Sequence, residues 1–118
     1  MPLALRPIVV VAAALIAACT TALAPAAPVV TPGGVRFAIA RPEAGAVFVA
    51  GSFNQWSATS HPLRREGTQG MWTATVALPP GEHLFMYVID GAWVAPPAAE
   101  GYADDGFGGK NGVVVVRP

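Results

Sequence analysis

Seven carboxylates, two imidazoles, one thiol and three indoles are the side chains of this 118-residue chain with chemistry to offer. Glycoside hydrolysis needs two carboxylates held at a defined separation across a cleft. The acids available are Glu43, Glu66, Glu82, Glu100, Asp90, Asp104 and Asp105, and nearly all fall in turns, where an acid is ordinary solvated punctuation. Asp90, followed by Gly91, is most economically a hairpin residue. His61 and His83 are not at metal-ligand spacing and have no cysteine partner beyond residue 33. Asp104-Asp105-Gly106 lacks the ordered run of oxygen ligands of a calcium loop. Gly106 to Gly112 is glycine-rich around Lys110, but it lacks the earlier Gly, the following Ser or Thr and the helix that a phosphate loop requires. No serine sits on a nucleophile turn. The expectation is a protein without catalytic residues, metal or cofactor.

The indoles are more informative. Trp56 and Trp93 both lie beside turn residues, where an aromatic side chain can reach solvent. Trp72 instead keeps phase with Ala74, Val76 and Leu78 and is expected in the core or at its edge. Two structural alternatives stay open: Trp56 folded back over an edge of the fold, and Trp93 packed on Met86 across a hairpin.

Charge narrows the partner. Net charge is zero, and no stretch clusters Lys or Arg. A nucleic-acid or acidic-lipid surface would need such a cluster, so a neutral partner is expected. Charged residues are only 12% of the chain, against roughly 25% in globular proteins. The apolar N-terminus accounts for part of that deficit.

The composition changes near residue 33. Arg6 provides a thin positive region ahead of the unbroken apolar run Ile8 to Ala18. That run suits the apolar part of a signal peptide and is short of a membrane span. It ends in Leu15-Ile16-Ala17-Ala18-Cys19, which looks like a bacterial lipobox and makes Cys19, the only cysteine, the expected lipidation site. Cleavage after Ala24 or Ala26 is the alternative. Residues 1–18 then form a signal, 19–32 a Pro/Ala-rich tether, and 33–118 the folded part. The protein is expected to be exported and anchored to an envelope membrane by lipid. Thr20 after Cys19 favours the outer over the inner membrane.

The folded part reads as strands and turns. Val35 to Ala40 alternates, Ala46 to Ala50 is continuously apolar, and a short strand is expected near Leu63-Arg64-Arg65. Met71 to Leu78 alternates again, and Pro79-Pro80-Gly81-Glu82 makes a turn. His83 to Ile89 is the strongest strand, and Asp90-Gly91 turns it into Ala92-Trp93-Val94. A long loop to Gly112 precedes a closing strand, Val113 to Val116. Five to seven short strands imply an all-β, immunoglobulin-like antiparallel sandwich.

Four segments carry a resemblance: Val47-Phe48-Val49-Ala50-Gly51-Ser52-Phe53-Asn54-Gln55-Trp56, Leu78 to His83, Phe85-Met86-Tyr87-Val88-Ile89-Asp90-Gly91-Ala92-Trp93, and Gly108 to Val115. In this order and spacing they resemble the glycogen-binding domain of the AMP-activated protein kinase β subunit. They are similar also to the family-48 carbohydrate-binding modules, the early-set domains of isoamylases and branching enzymes. The resemblance spans nearly all of Val35 to Val116. It implies α-1,4-glucan as ligand, with Trp56 and Trp93 stacking on glucose rings and Asn111 bonding their hydroxyls. The position the family gives to a sugar-binding Lys is Met86 here, which can lie under a sugar but cannot donate to it.

Physical chemistry agrees with that ligand. A pyranose has an apolar face and a hydroxyl rim, so it needs a flat apolar platform with a few polar groups around it. Trp supplies the largest such platform and loses little rotamer entropy on binding. Tyr102 and Phe107 are candidates for a further apolar wall, Asn54 for bracing a loop, and Asn111 equally for serving a turn beside Gly112. A second reading stays open: a structural or protein-interaction module that meets a protein partner and binds no sugar.

Overall fold

The computed structural model describes residues 25–118. The signal-like run, Cys19 and the start of the tether lie outside the described residues. Among the described residues nine strands form two antiparallel sheets: β1 Val29–Thr31, β2 Gly34–Ala40, β3 Val47–Gly51, β4 Arg64–Glu66, β5 Met71–Val76, β6 Gly81–Ile89, β7 Ala92–Val94, β8 Gly101–Asp104 and β9 Lys110–Val116. One sheet has the order β1-β2-β5-β4 and the other β3-β6-β9-β8, with β7 added beside β6. One 3-10 turn, Ser52–Asn54, interrupts the strands.

Alternation along the strands builds the core. Val35, Phe37 and Ile39 of β2 and Trp72 and Val76 of β5 face Val47 and Val49 of β3, Phe85, Tyr87 and Ile89 of β6 and Val114 of β9. Phe85 lies at the centre, with ring centroids 5.1 Å from Phe37 and 5.7 Å from Tyr87, both edge to face. Aromatic pairs prefer this geometry because a positive ring edge meets a negative face. Burial pushes the pKa of the Tyr87 phenol up, and its hydroxyl donates across the sandwich to Ala38 O at 3.2 Å.

The strand count exceeds the expectation for two reasons. Val29–Thr31, inside the stretch assigned to the tether, pairs with β2 from Val29↔Arg36 to Thr31↔Gly34. Pro28 and Pro32 flank it and confine it to an edge of the sheet, where a missing N–H costs nothing. The expected loop before Gly112 also contains β8, which pairs with β9 from Gly101↔Val113 to Asp104↔Lys110. The closing strand therefore begins at Lys110 and not at Val113, and Asn111 lies within a ladder.

Two connections follow directly from residue type. Asp90-Gly91 is a two-residue hairpin loop between Ile89 and Ala92, and both residues have positive φ, 48° and 83°. Those values match the turn whose twist suits a hairpin. The Asp90 carboxylate then accepts the N–H groups of Gly45 and Ala46, each at 2.9 Å, which ties two connections together. At the free side of β3, Leu63 N donates to Val47 O at 2.8 Å and Val49 N to His61 O at 3.0 Å. The segment from His61 to Leu63 thus covers an edge that would otherwise invite pairing.

Trp72 is only 6% exposed. Its indole N–H donates to Arg41 O at 2.9 Å, and the Arg65 guanidinium lies 4.6 Å from its ring centroid. Trp72→Ala is expected to destabilise the fold by about 3–5 kcal/mol, read as a lowered urea midpoint. A loss below about 1 kcal/mol would place this side chain outside the core.

Candidate functional site

The pleat of β6 sends Phe85 and Tyr87 inward, so Leu84, Met86 and Val88 point out of the β3-β6-β9-β8 sheet. Trp93 stands opposite Val88 on β7, and Ala50 opposite Met86 on β3. Asn111 lies one residue beyond the Phe85↔Gly112 pair and so comes abreast of Met86. Over this face opens a hollow of about 520 Å³ lined by Trp56, Leu84, Met86, Trp93 and Asn111, with Asp104, Asp105 and Phe107 along one side. Its size lies within the range of small-ligand sites, ~300–1,000 Å³.

Trp56 reaches the hollow from the loop that follows β3, and each residue of Gly51-Ser52-Phe53-Asn54 has a part in placing it. Gly51 has no room for a side chain: a Cβ there would collide with Leu84 O and the Phe53 ring. Ser52 Oγ accepts Leu84 N at 3.0 Å. Phe53 turns inward, its ring centroid 5.8 Å from that of Phe37 and 5.7 Å from that of His61. Asn54 is buried; its Oδ1 accepts Gly51 N at 3.0 Å and Ser57 N at 3.2 Å, and its Nδ2 donates to Val49 O at 3.1 Å. Those partners fix which way the amide points, so the 2.9 Å contact from Asn54 Nδ2 makes His61 Nδ1 an acceptor. Gln55 and Trp56 then take left-handed backbone conformations, φ 54° and 57°, and Trp56 N donates to Gly51 O at 2.9 Å. Such φ values are uncommon outside glycine and persist only where surroundings enforce them.

The opposite wall is the β8–β9 connection. Asp105 Oδ1 accepts Phe107 N at 2.7 Å and Gly109 N at 2.9 Å, and Gly106 and Gly108 supply positive φ, 83° and 88°. This tight loop holds Phe107 96% exposed at its tip. A large aromatic ring kept in water on a braced loop is an unusual use of apolar surface.

The structure brings Trp56, Met86, Trp93 and Asn111 to the same hollow and leaves Trp72 in the core. Trp93 is 47% exposed and Trp56 half-buried, so both present ring surface. Asn111 is 8% exposed, and among the described residues its side-chain amide has no hydrogen-bond partner in the chain; its polar atoms keep contact with the hollow. Its alternative role, service to a turn beside Gly112, is overturned because both residues belong to β9. Asn54 braces its loop as expected. Of the two further aromatic candidates, Phe107 lines the hollow, whereas Tyr102 does not and donates its hydroxyl to Pro96 O at 3.0 Å. Leu84, Asp104 and Asp105 were not singled out for this face. Leu84 was legible from its phase with Met86, and Asp105 from the Asp-Gly pair that opens a turn.

Among the described residues no three His, Cys, Asp or Glu side chains are grouped as metal ligands would be. A second hollow, about 290 Å³ near the β1–β2 turn, is lined by Val30, Pro32, Leu78 and Val116 and offers no aromatic platform.

A family model described as the glycogen recognition site of AMP-activated protein kinase matches residues 37–118. Curated relatives include 1,4-alpha-glucan branching enzymes. The enzyme of Pseudomonas syringae pv. syringae is 47% identical over 60 residues, which is 50% of this chain and 8% of the enzyme. That of Bacillus caldolyticus is 39% identical over 56 residues, 48% of this chain and 8% of the enzyme. That of Streptomyces coelicolor is 51% identical over 39 residues, 33% of this chain and 5% of the enzyme. The chain thus spans less than a tenth of the length of these enzymes.

Asn54→Ala removes the amide that holds the Trp56 loop and leaves two backbone N–H groups, one carbonyl and His61 Nδ1 without this partner. The expected cost is about 2–4 kcal/mol, from an unsatisfied-group penalty of roughly 1–3 kcal/mol each that water partly relieves. Hydrogen exchange at the Gly51 and Ser57 amides should accelerate more than the global change requires. Equal acceleration throughout would show that the loop is held by Phe53 and Gly51 without the amide.

Proposed function

Because the chain belongs to the family of the glycogen recognition site of AMP-activated protein kinase, we propose that it binds α-glucan at the hollow over β6 and β7 without cleaving it. The observation that carries this reading is the convergence of Trp56, Trp93, Met86 and Asn111 from separate loops and strands on one open hollow. The two indoles are the stacking platforms, and Leu84 and Met86 form a floor that accepts the apolar side of a sugar. The Asn111 amide offers both a donor and an acceptor to ring hydroxyls, and Phe107 closes one wall. Met86 in place of a lysine leaves the floor without a donor, so hydrogen bonding falls to the rim. The branching enzymes it resembles act on 1,4-alpha-glucan by name, which is consistent with this ligand class.

Trp56→Ala and Trp93→Ala are each expected to weaken glucan binding by roughly 1–3 kcal/mol, by analogy with aromatic stacking under nucleobases. Stability should change little, since both rings already meet solvent. Electrophoretic retardation in gels containing glycogen, set beside urea midpoints, separates the two effects. Unaltered retardation in both variants would remove the platforms from the site. Wild-type protein that glycogen does not retard would favour the structural or protein-interaction module instead.

We also propose that the domain is exported and carried on a lipid-modified Cys19, which places the hollow in the cell envelope, at the outer rather than the inner membrane. Its support is the apolar run ending at Cys19 and the absence of any other cysteine. One acyl chain gives marginal membrane binding, so stable anchoring requires the multiply acylated cysteine of bacterial lipoproteins. Cys19→Ser should move the protein to the soluble envelope fraction and lower its mass by the acyl groups. Unchanged mass and unchanged membrane association would reject the anchor.

A further inference from the structure

Charge is distributed unevenly around the hollow. Asp104 and Asp105 line it, and none of its other lining residues is charged. Lys110 stands opposite Asp104 in the β8–β9 ladder, with its ammonium on that carboxylate. The hydrogen bond from Lys110, and then its charge, hold the Asp104 carboxyl below the usual carboxylate range, so the side chain is ionised at neutral pH. Asp105 spends one oxygen on the loop amides and leaves the other at the rim. Glu82 projects from the same sheet face as Leu84, and Arg117 is paired with Glu100 at 3.5 Å. Arg36, Arg41, Arg64 and Arg65 belong to the other sheet or the chain beside it. The floor position that the resemblance gives to a lysine is the neutral Met86. Among the described residues this side of the protein therefore carries carboxylates in excess, and its cations Lys110 and Arg117 are paired with Asp104 and Glu100.

From this distribution we infer that the hollow is selective for uncharged glucan and turns away glucan bearing anionic esters such as phosphate, with Asp104 as the residue that sets the selectivity. The inference rests on the glucan reading of the same site. Neutral sugars suit a carboxylate rim, because every hydroxyl can donate to it. A phosphate ester meets repulsion and, among the described residues on this side, no unpaired cation. Apolar walls such as Leu84, Met86 and Trp93 strengthen the local field, because they keep high-dielectric solvent away. The Debye length of ~8 Å at physiological salt is comparable to the width of a hollow of this volume, so the charges act across it.

The test compares maltoheptaose with maltoheptaose carrying one 6-phosphate, by calorimetric titration of the full chain at low and high salt. Wild-type protein should bind the neutral oligosaccharide about tenfold or more tightly at ~10 mM salt, and the ratio should fall to about twofold at ~1 M, where the Debye length is ~3 Å. Asp104→Asn removes one carboxylate and releases Lys110, so the low-salt ratio should fall to about threefold or less. Lys110→Gln should widen it, and Met86→Lys should narrow it. Equal affinities in wild-type protein at low salt would overturn the inference. So would a ratio indifferent to salt and to Asp104→Asn, which would mark exclusion by size at the Phe107 wall. If neither oligosaccharide binds, the glucan reading fails and takes the inference with it. That outcome is distinct from the other two, in which the neutral oligosaccharide still binds.

Discussion

Strand β6 is constrained on both faces at once, and the organisation of this small protein depends on that constraint. Its period of two gives Phe85 and Tyr87 to the core and Leu84 and Met86 to the hollow. It also pairs with β3, β7 and β9, so every strand that brings a site residue to the outer face is registered on it or on its neighbour. A slip of one residue would exchange the two sets, placing Tyr87 in water and Met86 in the core. The core aromatics forbid the slip. The packing energy that stabilises the sandwich is thus the same energy that fixes the position of the candidate site.

The loops add what strands cannot. A ring lying on a sheet face is flanked closely by its neighbours, and a sugar needs walls as well as a floor. Trp56 and Phe107 are raised above the sheet by two connections with a shared logic. In each, a short polar side chain accepts two backbone N–H groups, Asn54 in one and Asp105 in the other, and residues with positive φ complete the turn. Local hydrogen bonding of this kind organises a loop without a core of its own. The two braces differ in cost. Asn54 is buried and neutral, where a charge would be expensive to desolvate; Asp105 stands at a solvated rim, where it is not.

Much of this was legible in the sequence because the signals were local. Alternation identified the main strands, Asp90-Gly91 identified the hairpin, and the phase of Trp72 with Val76 put it in the core while Trp56 and Trp93 sat by turns. What was not legible depends on pairing between distant segments. Val29–Thr31 lies between prolines and becomes a strand only because β2 offers it an edge. Gly101–Asp104 is a strand only because β9 starts early enough to receive it, and the glycines and acids around it read more naturally as loop. Asn111 illustrates the consequence. Beside Gly112 it looks like a turn residue, yet its pairing with Ala103 of β8 makes it a strand residue abreast of Met86. Residue type left two uses open there, and strand pairing removed the turn.

Charge, by contrast, is already ordered along the chain. The total is zero, yet five of the seven Lys and Arg residues precede Glu66, and the six acids from Glu66 to Asp105 follow one another without an intervening Lys or Arg. Folding keeps that order: four arginines go with the β1-β2-β5-β4 sheet, whereas Glu82, Glu100, Asp104 and Asp105 go with the sheet that bears the hollow. A neutral sequence thus becomes a polarised surface. Arg36 is held by Glu66 at 3.2 Å, and Arg65 spends its donors on the carbonyls of Pro42 and Ala44 and its face on Trp72. These arginines therefore have structural partners on their own side. On the hollow side, each cation is bound to a carboxylate while Glu82 and Asp105 have no cationic partner among the described residues. A floor of Leu84 and Met86 supplies contact without charge, and orientation of a ligand is left to the Asn111 amide and the carboxylate rim. On the proposed glucan reading, such a site gains affinity from ring surface and selectivity from the sign of its edge, two properties that separate substitutions can change independently.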